Sequence, residues 1–562
     1  MPSSRHPESA GPGPGWEAFC ARGIDLPALG MRIDPSRMGF STDSFAALRA
    51  PLGRALERMA ELEGGAIANP DERRPVGHYW LRAPERAPDP GIADAIRQAQ
   101  AQIKRLAARI HAGEIRPAQA SPSSRFRHFL LIGIGGSALG PQLLDGALAN
   151  AASPTHAHFI DNTDPDGIER TLASLGAALA ETLVVVVSKS GGTIETRNGM
   201  LEVEAALSRA GLKLGPQAVA ITLRDSKLDY LARAQGFLDV FPIWEWVGGR
   251  FSITSAVGLV PAALQGLDVD AFLEGARMMD ALTRDADTER NPAALLAGCW
   301  HLAGEGRGAR DMVVLPYRDR LLLFSRYLQQ LVMESLGKEQ DLQGRAVHQG
   351  IVVYGNKGAT DQHAFVQQLR EGPDDCFVTF IQTRLDRGQR SGDRGVLRAA
   401  GGAHAAVAGA EPGTGVEVEP GITSGDYLLG FLLGTREALT EKGRPSLLIT
   451  LPDVSERSLG ALIALYERSV GLYADLIGVN AYHQPGVEAG KRAAARAIEI
   501  QTRALAALAA ASGPLSAPEL AARLTPRADP ETLFHLLEHL AANGRIRAIA
   551  AGAWWETRFS AR

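Results

Sequence analysis

Between Phe129 and Ile243 short apolar runs alternate with longer mixed stretches. HFLLIGIGG, HAHFIDNT, ETLVVVVSKS, QAVAITL and GFLDVFPI each read as a strand followed by a segment of helical periodicity. Runs that stay apolar, rather than alternating with polar residues, belong to strands covered on both faces, so the pattern predicts a parallel sheet flanked by helices. The pattern then repeats in ARDMVVLPY, AVHQGIVVYGNKG, CFVTFIQTR and PSLLITLP, with helical segments before and between them. Upstream, Phe45, Leu48, Leu52, Leu56, Met59 and Leu62 recur at the spacing of one helix face, and Pro and Gly interrupt the pattern as far as Ala112. The prediction is an α/β chain with two doubly wound parallel-sheet domains, over 113–290 and 291–510. A terminal tail and helical cover over 1–112 precede them, and a small appendage over 511–562 follows. In the appendage LSAPELAARL, ETLFHLLEHLAANGRI and RAIAAGAWWETRF give helix, helix and hairpin, the order of a winged-helix fold. The first 15 residues, rich in Pro, Gly and Ser, predict a frayed end, and the Gly/Ala-rich stretch 388–415 predicts an insertion.

A length of 562 residues exceeds the roughly 250–300 at which one core stops growing, which fits several domains. With a net charge of -4, no global field draws the chain to nucleic acid or to an anionic membrane, so any anion site must be local. Cys20, Cys299 and Cys376 lie far apart without CxxC spacing, which argues against a disulfide framework or a zinc cluster and fits a reducing, cytoplasmic setting. The opening MPSSRHPESAGPGPG has no apolar core of signal-peptide length, and no apolar run approaches the roughly 20 residues that span a bilayer.

Two loops have the character of phosphate cradles. GIGGSALG, from Gly133 to Gly140, links the strand FLLI to a helical pattern, so backbone N–H groups and a helix N-terminus would face an anion there. It also satisfies G-x-G-x-x-A, but a dinucleotide site needs an acidic residue about 20 positions onward, and only Asp161 approaches that. The second loop, SKSGGTIET, concentrates Ser188, Lys189, Ser190, Thr193 and Thr196 at the end of a buried strand. So many hydroxyls exceed what a helix cap needs and suit a compact monophosphate better than an extended pyrophosphate.

Candidate chemistry lies further along. Glu334, in QQLVMESLGK, ends an apolar helical run, with Gln330 one turn earlier on the same face. Arg250, in VGGRFSITSAVGL, follows two glycines that permit close backbone approach to a ligand. His363, in GNKGATDQHAF, sits in a loop after a strand, and Lys491, in YHQPGVEAGKRAAA, opens an alanine-rich helix with Gln484 upstream. Taken singly, each is an ordinary surface residue: a solvated helix charge, a salt-bridged arginine, a polar loop histidine. Together they supply a carboxylate to carry a proton between neighbouring carbons, a permanent cation for an enediolate, and an acid/base group to open a sugar ring. Such chemistry requires neither metal nor cofactor.

Read in order, GIGGSALGP, SKSGGTIET, VGGRFSITSAVGL, MESLGK, GATDQHAF and QPGVEAGK make the chain resemble the phosphoglucose isomerase family from about Asp43 to Leu505. That resemblance implies two sugar-isomerase domains, a homodimer with sites near the subunit interface, and conversion of glucose 6-phosphate to fructose 6-phosphate in glycolysis and gluconeogenesis. It implies that Gly136, Ser137, Ser188, Lys189, Ser190, Thr193 and Thr196 bind the phosphate and that Gln330 and Gln484 position the sugar. Glu334 would be the base and Arg250 the enediolate's cation. His363, by the resemblance from the partner subunit, would assist ring opening, and Lys491 would stand near the ring oxygen. Gly192, where relatives often carry Thr, and His483, where they often carry Asp, depart from the pattern. Rival readings are an isomerase that also accepts mannose 6-phosphate, and a sugar-phosphate-binding regulator with a DNA-binding tail. Retention of Glu334, Arg250, His363 and Lys491 together argues against the regulator. An aminosugar synthase would need an N-terminal cysteine that MPSS does not supply, and a dehydrogenase would leave SKSGGTIET without a purpose. No membrane or nucleic-acid partner is expected.

Overall fold

The computed structural model describes residues 14–69, 73–118, 124–386 and 416–562. The 388–415 insertion and residues 1–13 of the expected frayed end lie outside the described residues, while Pro14 and Gly15 open a helix, Pro14–Arg22. The strands of the two large sheets are Ile24–Leu26 (β1), Met31–Arg37 (β2), His128–Ile132 (β3), His156–Ile160 (β4), Thr182–Val187 (β5), Ala218–Thr222 (β6), Asp239–Pro242 (β7), Asp311–Pro316 (β8), Val353–Tyr354 (β9), Cys376–Thr383 (β10) and Ser446–Leu451 (β11).

One sheet has five parallel strands in the order β4-β3-β5-β6-β7. Its central strands are buried along their whole length because helices cover both faces, as their unbroken Val, Leu and Ile content predicts. The other sheet has six strands in the order β1-β2-β11-β10-β8-β9. Its β8, β9, β10 and β11 are mutually parallel, but β2 pairs antiparallel with β11, and β1 with β2. These N-terminal strands correct the expectation that the leading segment is tail and helix alone. MRIDPSR does not advertise a strand, since Asp34 is buried there. It is satisfied by Arg436, whose Nη1 lies 2.7 Å from Asp34 Oδ2. The register slips between the pairs Arg37–Ser446 and Asp34–Leu448, where Pro35 has no N–H to offer the ladder.

The helices Val269–Leu282 and Glu456–Leu476 cross closely because both present glycine: a Cβ on Gly275 would lie 1.9 Å from the Arg457 carbonyl oxygen, and one on Gly460 2.0 Å from that of Phe272. Beside this crossing Arg82 and Arg468 are buried with Asp280, Glu467 and Glu63. Arg82 Nε donates to Asp280 at 2.5 Å and Arg468 Nε at 2.8 Å, so each buried charge meets its opposite.

The chain divides into two compact units after Tyr482. In the second unit the helices Pro485–Ala509, Ala517–Arg523 and Pro530–Ala542 accompany a three-stranded antiparallel sheet of Leu515–Ser516, Arg558–Ser560 and Arg547–Ile549. Ala504 and Leu508 of the long helix pack into the same core as Leu520, Leu537 and Phe559, so this unit begins earlier in the chain than residue 511.

Candidate functional site

Strands β3 and β5 are neighbours, yet the chain leaves β3 toward β4 on one side and β5 toward β6 on the other. That reversal opens a crevice at the C-terminal ends of the two strands, the place where open parallel sheets bind ligands. Both glycine-rich loops lie there. After β3, Gly135 adopts φ 58° and starts the helix Gly136–Leu148, with Ser137 folded back so that a Cβ on Gly133 would meet its Cβ at 2.9 Å. After β5, Gly191 adopts φ 67°, where a Cβ would lie 2.3 Å from the Leu228 nitrogen, and Thr193 starts the helix Ile194–Arg209. Two helix N-termini thus face the same crevice and favour an anion.

The hydroxyls divide by role. Ser188 is buried and donates to Thr193 Oγ1 at 3.1 Å, while the Gly192 N–H donates to Ser190 Oγ at 3.2 Å. Ser190 is exposed and Thr193 half-buried, so these two reach the crevice. Thr196 is buried with its hydroxyl 3.5 Å from the Val187 carbonyl, and the Lys189 ammonium donates to the carbonyls of Glu245 and Val247, each at 2.8 Å. Both side chains therefore brace the loop.

The first loop touches the candidate catalytic residues directly. A Cβ on Gly136 would lie 2.0 Å from the Gly249 carbonyl oxygen, and one on Gly135 3.1 Å from Gln330 Nε2, so only glycine allows this approach. Arg250 stands in the short helical turn Gly249–Phe251. Its Nη1 lies 3.6 Å from Glu334 Oε1, its Nε donates to Ser335 Oγ at 2.7 Å, and its Nη2 donates to the Ala481 carbonyl. Burial pulls the Arg250 guanidinium below its ordinary value, opposed by the Glu334 carboxylate.

Gln330 and Glu334 do not lie on a plain α-helix. The helix Phe324–Leu328 widens into a π-helical turn, Gln329–Glu334, a form common at functional sites. Glu334 Oε2 is buried and has no hydrogen-bond partner among the described residues. Lys338, buried four residues on, donates from Nζ to the Glu334 carbonyl oxygen at 2.7 Å. Sequence reasoning missed Lys338 and Ser335, though both lie within MESLGK and the i+4 spacing from Glu334 was the available signal.

His363 closes the short helical turn Thr360–His363 and is exposed. The residue before that turn, Ala359, has φ 61°, an unusual conformation for a side-chain-bearing residue. Asp361, also missed from sequence, is buried and ties the loop down: its Oδ2 accepts from the N–H groups of Asn356 at 2.8 Å and Lys357 at 3.0 Å. Gln484 and Lys491 belong to the second unit, Gln484 as the N-cap of the helix Pro485–Ala509 and Lys491 exposed on it. Among the described residues no group of three or more His, Cys, Asp or Glu is arranged to hold a metal ion.

This geometry, a phosphate-type crevice joined to a carboxylate and a buried cation, defines the class of enzyme that acts on phosphorylated sugars. The fold agrees with solved structures: a glucose-6-phosphate isomerase from Chlamydia trachomatis superposes with a TM-score of 0.72 at 26% identity, over 86% of this chain and 91% of that one. A hypothetical protein from Thermus thermophilus gives 0.63 at 28% identity, over 83% and 99%. In sequence, the glucose-6-phosphate isomerase of Geobacter sulfurreducens is 55% identical over 95% of this chain and 96% of its own length, and that of Thermosynechococcus vestitus 54% over 92% and 93%. The family described as Phosphoglucose isomerase matches residues 47–511, and the chain belongs to it.

Proposed function

We propose that this chain interconverts glucose 6-phosphate and fructose 6-phosphate through an enediolate, serving glycolysis and gluconeogenesis. One observation carries the assignment of roles: the Gly135–Gly136 loop abuts both Gln330 and the Gly249–Arg250 segment. An anion at the crevice therefore anchors one end of a substrate whose other end extends toward Glu334.

In this scheme Gly136, Ser137, Ser190 and Thr193 receive the phosphate, with Ser188, Lys189 and Thr196 shaping the loop. Glu334 takes the proton from C2 of the open-chain aldose, and the enediolate oxygen gains charge beside Arg250. The same carboxyl returns the proton to C1 while the hydroxyl proton of O2 passes to O1, leaving a carbonyl at C2, so no net proton is consumed. His363 opens the ring from the partner subunit, and its exposure on a single chain supports that origin. Gln330 and Gln484 orient the sugar and Lys491 serves the ring oxygen. The scheme calls for no metal or cofactor.

The five-stranded sheet supports 113–290 as one sugar-isomerase domain and the six-stranded sheet supports a second from 291 to about Tyr482, while the helices and hairpin of the second unit support a winged-helix-like appendage. A homodimer in the cytoplasm completes the proposal. Among the described residues no helix is long and apolar enough to cross a membrane.

The deciding experiment follows hydrogen. Glucose 6-phosphate tritiated at C2 releases label to solvent during turnover if a carboxylate relays the proton through an exchangeable intermediate. Quantitative retention of label at C1 would instead mean hydride transfer and end the proposal.

A further inference from the structure

We propose that Lys338 is a positioning residue for the isomerisation base: its ammonium holds the main-chain carbonyl of Glu334 and so sets where the carboxylate stands relative to Arg250. The inference rests on Glu334 being that base.

Three features lead to it. First, the π-helical turn Gln329–Glu334 ends at the catalytic carboxylate, and the last carbonyls of a helical segment lack partners within it. The Gly337 N–H returns to the Met333 carbonyl at 2.8 Å, and Lys338 Nζ takes the next one, that of Glu334, at 2.7 Å. The lysine thus fastens the residue whose side chain does the chemistry. Second, Lys338 is 5% exposed, yet a lysine two residues past a helix end ordinarily extends into water. Its ammonium is buried where, among the described residues, a carbonyl and the field of Glu334 compensate for lost hydration. Third, Lys338 begins the strand Lys338–Gln340; its register partner is the uncharged Gln349, and the strand's own carboxylate, Glu339, is exposed rather than buried beside it.

The charges facing it are few among the described residues. Glu334 attracts the ammonium and Arg250 repels it. Behind Arg250 stand Arg74 and the Tyr482 phenol, the latter pushed up by burial and so neutral, and His78, stacked 4.5 Å from Phe251, is kept neutral by burial. Burial first, then Arg250, bring the Lys338 ammonium down to about 7. Its charge therefore changes near neutral pH. Protonated, it steadies the Glu334 carbonyl; neutral, it grips that carbonyl less.

The test compares pH profiles of kcat and KM for the wild type and for Lys338→Arg, Lys338→Gln and Lys338→Met, with Glu334→Gln as reference. Lys338→Met should lose about tenfold in kcat with KM changed by less than about threefold, the mark of an effect confined to the transition state. Lys338→Gln, which keeps a donor but no charge, should fall between, and the wild-type decline in kcat above neutral pH should be missing in both. Lys338→Arg should restore most of kcat and carry that decline to higher pH. Loss confined to KM, or a decline above neutral pH that persists unchanged in Lys338→Gln, overturns the proposal. Full turnover by Glu334→Gln would remove the base assignment itself, whatever the lysine variants do.

Discussion

Arg250 approaches Glu334 Oε1 to 3.6 Å through Nη1 while its Nε donates to the hydroxyl of the adjoining residue, Ser335, at 2.7 Å. One guanidinium therefore steadies both the carboxylate and the backbone that carries it. The contact with Oε1 is an ion pair too long for a strong hydrogen bond. Oε2 is buried and has no hydrogen-bond partner among the described residues, so nothing there holds the carboxylate against turning toward a substrate.

Glu334→Gln tests that arrangement with almost no change in volume. Turnover should drop by roughly two to four powers of ten, the scale of a positioned proton-transfer group. Substrate affinity, measured by equilibrium binding of a non-isomerising sugar phosphate, should stay nearly constant. A variant that lost affinity but kept its turnover at saturation would assign Glu334 to binding.

Gly136→Ala tests the contact between the first loop and Arg250. Its new methyl would lie 2.0 Å from the Gly249 carbonyl oxygen, backbone against backbone, with no flexible side chain to yield. Relief requires the Gly249–Phe251 turn to move, so stability should fall by about 1–3 kcal/mol in denaturant unfolding. Turnover should fall more than the modest destabilisation implies, because Arg250 moves with the turn. Wild-type kinetics in this variant would show that the loop and Arg250 act independently.

Subunit mixing tests the origin of His363. Glu334→Gln and His363→Ala chains, each nearly inactive alone, should regain about one quarter of wild-type activity when co-assembled at equal amounts, since half the dimers are mixed and each carries one intact site. Activity no greater than that of the separate variants would place His363 in the site of its own subunit.

The pH dependence of stability should carry the mark of two histidines of the five-stranded sheet, His128 and His158, which lie beside His156. His128 Nδ1 and His158 Nε2 lie 3.1 Å apart, and the His128 and His156 ring centres 5.9 Å apart. Burial first, and then the neighbouring imidazoles, hold His128 and His158 below the ordinary 6.5; Glu181 opposes this at His128. The unfolded chain then binds more protons than the folded one between the lowered values and 6.5, so stability rises with pH through that window and is lost as pH falls through it. The melting temperature should increase from about pH 5 to pH 7, and His158→Gln should flatten the rise. An identical slope in that variant would mean that other groups control the acid limb.

The parts of the fold legible in sequence were those where burial acts through composition. β5 and β6 had to be central because their runs are almost wholly apolar, and the loops after β3 and β5 had to be tight because glycine and hydroxyl residues replace the apolar run at once. β2 was not legible, since the partner that makes a buried Asp34 tolerable, Arg436, lies 402 residues away. The limits of the second unit were obscured for a similar reason: an alanine-rich helix shows its period but not which core Ala504 and Leu508 join. At the candidate site, Glu334, Arg250 and Gln330 were named from sequence and come together, whereas Lys338 was passed over because a lysine after a helix is usually solvated. The π-helical widening had no sequence signal, for QQLVME is acceptable to an ordinary α-helix.

The antiparallel pairing of β2 with β11 has a consequence for biosynthesis. Residues 31–37 leave the ribosome near the start of translation, but Ser446–Leu451 emerges only after some four hundred further residues, on the order of 20–80 s later at ordinary elongation rates. Through that interval β2 has β1 on one edge but nothing on the other, and the six-stranded sheet cannot close until translation is nearly over. The five-stranded sheet, drawn wholly from residues 128–242, has no such wait and can form on the ribosome.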